Sequence, residues 1–282
     1  MKTYIKYLTA VLTILSFWSC EDVIDVDVPT GKIRLVIEAS IDWEKGTQGN
    51  NQTVKLSTTT PFFETNTNNL VTNATVKITN TNTNQEFIFT NQNNGAYTTT
   101  SFVPVLNNQY LLEVVYNGET YQATETLTPV VNIKRVTQSL EGGFDDELLN
   151  VNVFFDDPVE TENFYLIRYY EVGDLFPYFD AFSDEFINGN EVYNFFENEE
   201  QDDDPNAAFQ PGDSVDIQLY GISETYYNYM RILIEQYFGG GDPFASTAAE
   251  IKGNCVNKTN LENYPYGYFR ASEVVKTSYT FQ

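Results

Sequence analysis

The chain has no histidine and only two cysteines among its 282 residues. Without an imidazole, Ser-His-Asp and Cys-His catalysis, histidine zinc sites and the commonest general base at neutral pH are all excluded. Basic residues are scarce: 15 lysines and arginines face 40 aspartates and glutamates, a formal net charge of −25. Such a field repels phosphate backbones and anionic headgroups, so no nucleic-acid partner is expected. Long apolar runs are missing as well. The main one, from Leu8 to Phe17, is too short to span a hydrocarbon core of about 30 Å. Aromatics are the opposite case: at 15% they argue against disorder, because disordered chains are poor in them.

The apolar run has a specific setting. Lys2 and Lys6 precede it, and Ser19-Cys20-Glu21-Asp22 follow it. A positive start, a short apolar stretch and a small residue form the layout of a secretory signal peptide. A cysteine directly after it predicts a bacterial lipoprotein, with residues 1–19 removed and Cys20 carrying the lipid. Phe17 stands where leucine is usual, and the competing reading is an ordinary signal peptide ending beside a cysteine. Each buried methylene of such a lipid contributes about 0.8 kcal/mol, and several acyl chains hold a protein at a bilayer almost permanently. The membrane is thus an expected partner through Cys20. Glu21 and Asp22 resemble the signal that sends Bacteroidota lipoproteins to the outer face of the outer membrane, which predicts a protein facing the cell exterior. Cleavage removes Lys2 and Lys6 and no acid, leaving 13 basic and 40 acidic residues and a formal charge of −27. With Cys20 lipidated, Cys255 has no partner for an internal disulfide.

The remaining 263 residues suit two domains. Residues 20–30 alternate valine or isoleucine with aspartate and read as a lipidated tether or a first edge strand. Strand signals follow at 33–41, 54–58, 75–79, 85–89 and 95–97. Tyr110 to Tyr116 and Glu119 to Thr126 flank Asn117-Gly118, the strongest hairpin signal in the chain. Short strands at intervals of about ten residues predict a β-sandwich, here over residues 31–130. A second, β-rich domain is expected over 131–282, with strands near 132–138, 148–155, 164–171 and 214–220. Residues 173–213 read as a long aromatic and acidic excursion. One helix is expected at about 223–238: Ser223 is a suitable N-cap, and Tyr226, Met230, Leu233, Ile234 and Tyr237 make one apolar stripe. Gly239-Gly240-Gly241 would end it. Two closing strands, Tyr266 to Ala271 and Val274 to Phe281, complete a mainly β chain of two sandwich-like, immunoglobulin-like domains.

Several segments, taken in order, resemble one family. They include Cys20 to Val26, Leu35 to Ala39, Thr59 to Phe63, Gly95-Ala96-Tyr97, Phe155-Asp156-Asp157-Pro158, Ser183 to Gly189, Gly212 to Val215, Tyr226 to Met230, Gly241 to Ala245 and Gly267 to Ala271. The family is the Bacteroidota lipoproteins grouped as domain of unknown function 4249. The resemblance implies a surface lipoprotein often encoded beside TonB-dependent outer-membrane receptors, hence such a receptor as partner. It supplies no catalytic residues.

Candidate sites are few. Asp156, Asp157, Glu160 and Glu162 offer hard oxygens of the kind calcium takes; the plainer reading is turn chemistry at Asp157-Pro158. The acidic run from Glu197 to Asp204 lacks the spacing of a calcium loop and reads as solvated. Phe176, Tyr178, Phe179, Phe182, Tyr193 and Phe196 crowd the excursion, either as a ligand-binding aromatic surface or as core. Cys255 reads as an inert thiol, since a chain with no histidine and a strongly negative field does little to form thiolate. No catalytic residue and no cofactor beyond the lipid is expected. The function expected is a non-enzymatic accessory lipoprotein of an outer-membrane uptake or assembly system, with a stand-alone glycan-binding protein as the alternative.

Overall fold

A computed structural model describes residues 31–61, 69–198, 208–238 and 250–282. The signal segment, Cys20, the tether, most of the acidic run and the glycines after the helix lie outside the described residues. Among the described residues there are fifteen strands and one α-helix, a mainly β fold as the sequence predicts.

The first seven strands are β1 (Leu35–Glu44), β2 (Gln52–Thr58), β3 (Thr75–Asn80), β4 (Gln85–Asn91), β5 (Ala96–Thr99), β6 (Gln109–Tyr116) and β7 (Glu119–Thr126). In β1 the alternation of the sequence sends Leu35, Ile37, Ala39 and Ile41 inward and leaves Glu38 and Ser40 outward. Strand β4 pairs with β3 along most of its length and with β5 at Thr90 and Asn91. That change of partner folds the sheet back on itself around Tyr97, Tyr110, Phe87 and Phe102. The buried hydroxyls are satisfied: Tyr97 donates to the Val71 carbonyl at 3.1 Å, and Tyr110 to that of Val103 at 3.0 Å. At the β6–β7 hairpin Tyr116 faces Glu119. Asn117 and Gly118 both take positive φ, 49° and 79°, the requirement of a type I′ turn.

The next strands are β8 (Ile133–Ser139), β9 (Asn150–Asp156), β10 (Phe164–Glu171), β11 (Tyr178–Ser183), β12 (Glu191–Glu197) and β13 (Ser214–Ile222); then come α1 (Glu224–Phe238), β14 (Val256–Asn257) and β15 (Tyr266–Thr280). A small sheet, β12-β9-β8, lies over the β11-β10-β13-β15 part of the large sheet. Val153, Phe155, Tyr165, Ile167 and Leu219 fill the space between. Helix α1 covers the other face, with Tyr226 and Met230 packed near Leu166, Ile222 and Tyr268. Ser223 caps it, accepting the Tyr226 amide at 3.3 Å. The excursion over 173–213 is more regular than its sequence suggests: β11 joins the large sheet and β12 the small one.

The two closing strands expected at 266–271 and 274–281 are one strand of fifteen residues. Its first part runs parallel to β1, from Tyr266 opposite Val36 to Val274 opposite Glu44. Its second part runs antiparallel to β13, from Val274 opposite Tyr220 to Thr280 opposite Ser214. Ser272 and Glu273 break the apolar pattern, so they read as a gap. In the fold they are buried, and Glu273 accepts the Val130 amide at 2.9 Å while its own amide donates to the Thr128 carbonyl at 2.8 Å. The division at 130/131 is therefore not contiguous. Residues 250–272 return to the first unit: β14 pairs with β7, and Cys255, Phe269 and Ala271 enter its core.

Candidate functional site

A cleft of about 930 Å³ lies between α1 and the large sheet. Its floor is the outward face of β1 (Glu38, Ser40) with Gly267, Tyr268 and Arg270 of β15. One wall is the C-terminal half of α1, through Leu233, Ile234 and Tyr237; the other comes from β10, the loop after it and the start of β11, through Arg168, Phe176 and Tyr178. Seven tyrosines line it. The apolar stripe of the helix thus has two uses. Its first half packs on the sheet, while Leu233 and Tyr237 stay 41% and 71% exposed and face the cleft.

Four of the six predicted aromatics reach this cleft: Phe176, Tyr178, Phe179 and Phe196. Tyr178 and Phe196 stack with centroids 5.0 Å apart, and Phe196 stacks on Tyr169 at 5.1 Å. The other two are elsewhere. Strand alternation turns Phe182 into the second core, 5.6 Å from Tyr165 and 6.3 Å from Phe155. Tyr193 lies on the outer face of the small sheet, stacked on Phe195 at 5.9 Å and donating to the Gly142 carbonyl at 2.8 Å.

The predicted calcium group does not assemble. Asp156 pairs with Lys134 at 2.9 Å. Asp157 is buried and accepts the Tyr165 hydroxyl at 2.6 Å and the Gly189 amide at 3.0 Å, so it ties a turn. Glu160 and Glu162 are exposed. Among the described residues no three carboxylate, thiol or imidazole side chains gather in a metal-binding group. Cys255 is buried, and burial pushes its thiol up to about 12.

Sequence reasoning missed the polar core of the floor. Arg270 is 7% exposed. Its guanidinium pairs with Asp42 and lies 4.5 Å from the ring centroid of Tyr220 and 5.2 Å from that of Tyr226. Its one outward signal is a lone cation in an aromatic strand, Tyr268-Phe269-Arg270. At the cleft mouth, burial and the neighbouring Asp174 raise the Glu171 carboxyl above its ordinary value.

Behind the floor, Glu125 of β7 accepts the hydroxyl of the helix cap Ser223 at 3.0 Å and the Thr126 amide at 3.0 Å. Burial raises its pKa above the ordinary 4.5, outweighing the hydrogen bonds from the Thr126 amide and the Ser223 hydroxyl, which favour the anion. Because the folded-state value is raised, the contribution of the protonated group is full below pH 4.5 and is lost as pH rises through the folded pKa. Glu125→Gln, which fixes the neutral state, is expected to melt with the parent at pH 4 and a few degrees above it at pH 7.5. Melting curves of both proteins across that range check this, and a difference that does not grow with pH refutes it.

A family model, "Domain of unknown function (DUF4249)", matches residues 21–278. The chain belongs to the DUF4249 family. No curated protein matches this chain. Among solved structures it is similar to a DUF4785 family protein from Legionella pneumophila, with 10% identity and a TM-score of 0.26, over 66% of this chain. The chain spans 52% of that protein's length. It is also similar to a cytokine receptor complex (9% identity, TM-score 0.25, 68% of this chain and 86% of that one). A segment of two fibronectin type III domains from chicken tenascin matches at 9% identity and a TM-score of 0.21, over 68% of this chain and 90% of that one. Likenesses this distant carry no functional inference. Among the described residues no helix of this DUF4249 protein is long and apolar enough to cross a membrane.

Proposed function

We propose that this DUF4249 protein is a non-enzymatic binding lipoprotein of the outer membrane, anchored through Cys20, facing the cell exterior and capturing a glycan in the α1 cleft. The tyrosine-lined cleft carries this reading. Its volume of about 930 Å³ is that of a ligand site, and such sites favour the meeting points of structural units. Aromatic faces stack on the C–H faces of sugar rings. Arg168 and Glu171, both on the cleft lining, supply a donor and an acceptor for hydroxyl groups. The signal segment supports the anchor. The family resemblance supports an accessory role beside a TonB-dependent receptor, to which a captured ligand would pass.

A glycan array probed with the full chain tests the cleft. Phe176 and Tyr237 are 72% and 71% exposed, so removing both leaves the core intact. The Phe176→Ala/Tyr237→Ala protein is expected to bind its glycan at least about tenfold more weakly, as loss of two aromatic contacts would give. A blank array for the parent removes the glycan reading. The accessory role is tested separately: the protein should copurify with a receptor from native membranes in mild detergent, and recovery of monomer alone counts against it. Cys20→Ala should release the protein from the membrane fraction.

A further inference from the structure

The ten residues between β8 and β9, 140–149, fold back over the outer face of the small sheet. Phe144 packs on Phe195 with centroids 5.1 Å apart, and the Tyr193 hydroxyl holds the Gly142 carbonyl. The ladder sets Asn150 opposite Glu197 and Asn152 opposite Phe195, so these four side chains share the covered face. Asn150 is 0% exposed and Asn152 2%. Both side-chain polar atoms of Asn150, the Oδ1 of Asn152 and the Oε2 of Glu197 are buried with no hydrogen-bond partner. Two of them meet under Gly143, where an added methyl carbon would lie 1.9 Å from Glu197 Oε2 and 2.9 Å from Asn150 Nδ2.

Leaving buried polar groups unpaired costs free energy, and an uncompensated carboxylate oxygen costs more than a neutral amide. Internal water relieves neutral groups. Here the local charge favours more than water. Glu197 has no Lys or Arg partner among the described residues, and its Oε1 accepts only the Asp145 amide, at 3.2 Å. The covering loop contributes Glu141, Asp145, Asp146 and Glu147 and no base. A carboxylate and two carboxamides, with no nitrogen or sulfur donor, form a hard-oxygen set of the kind calcium accepts in mixed coordination with water. A half-turn of the Asn150 carboxamide exchanges its oxygen and nitrogen at almost no steric change. We propose that the polar cluster beneath the 140–149 loop is a calcium site, with Asn150, Asn152 and Glu197 as its side-chain ligands. It is separate from the α1 cleft and from the Asp156 group.

Calcium titration of the full chain, stripped with a chelator, tests the site. At 1 mM calcium the melting midpoint is expected to rise by about 5 °C, as saturation of one site would give, and equal magnesium should do much less. Glu197→Gln should abolish the rise. Glu262→Gln, which removes the same charge from an exposed loop of the first unit, should keep it. Terbium in place of calcium should luminesce through the adjacent Tyr193, and Glu197→Gln should lose that emission. Asn152→Asp adds a charged ligand at constant size and should bind calcium several-fold more tightly. A parent protein whose midpoint ignores both calcium and chelator overturns the site, and so does a calcium response equal in the parent, Glu197→Gln and Asn152→Asp. Either would leave internal water as the partner of these groups.

Discussion

Gly267→Ala is expected to lower the melting midpoint by about 10 °C, the shift that a loss on the order of 3–5 kcal/mol gives for a chain of this size. Gly267 has φ of +90°, and a methyl carbon there would lie 2.1 Å from the Ile37 carbonyl oxygen. That oxygen belongs to β1, the strand beside which β15 runs parallel. Gly253 in turn approaches the Gly267 carbonyl so closely that its own added carbon would lie 1.7 Å away. Three backbone segments are layered here, and neither neighbour is a flexible side chain able to turn aside. Gly118→Ala is the control. It has φ of +79° with nothing within 4 Å, so it carries only the left-handed backbone cost of about 1 kcal/mol. Since β15 crosses from the first core to the second, the Gly267 change should move the unfolding of both. Thermal melts followed by near-ultraviolet circular dichroism compare the two variants, and equal shifts would show that the close approach is not rigid.

How much of this was legible beforehand depends on the range of the interaction. Local chemistry was readable. Asn117-Gly118 marks its hairpin because two successive residues must take positive φ, and Ser223 marks the helix start because it accepts an orphan amide. The alternation of Leu35, Ile37, Ala39 and Ile41 is printed in the sequence. Placement across the chain was not. Nothing local says that β15 leaves β1 for β13 at Val274, because Ser272 and Glu273 are polar for a reason that lies at Thr128 and Val130. The crowded aromatics told a similar story. Composition alone gave Phe179, Phe182 and Tyr193 equal standing, whereas strand parity and sheet membership separate them into cleft, core and outer face. Asn150 and Asn152 carried no signal at all, since two alternate asparagines within a strand read as its solvent face until a loop is seen to close over them.

Arg270→Ala should be the most damaging side-chain truncation in the cleft floor. Removing one partner of a buried ion pair destabilises by about 3–5 kcal/mol, much of it from the partner left behind. Here the partner is Asp42, only 33% exposed at the side chain and held on β1 beside β15. The loss reaches further, because the guanidinium lies against the rings of Tyr220 and Tyr226 and so joins β13, α1 and β15 through one planar group. Tyr226 and Met230 are the buried anchors of α1, so the helix should loosen from the sheet first. Arg270→Lys keeps the charge and forfeits the planar stacking; it should fall between the parent and the alanine variant. Hydrogen exchange distinguishes this from general weakening. The amides of α1 should lose protection at once, while those of β3 and β6 in the first core keep theirs. Uniform loss across both cores would mean that Arg270 serves the whole fold and not the helix that walls the cleft. If the helix does loosen, glycan binding should fall with it even though no ring facing the ligand has been changed, because the α1 wall would no longer be held against the floor.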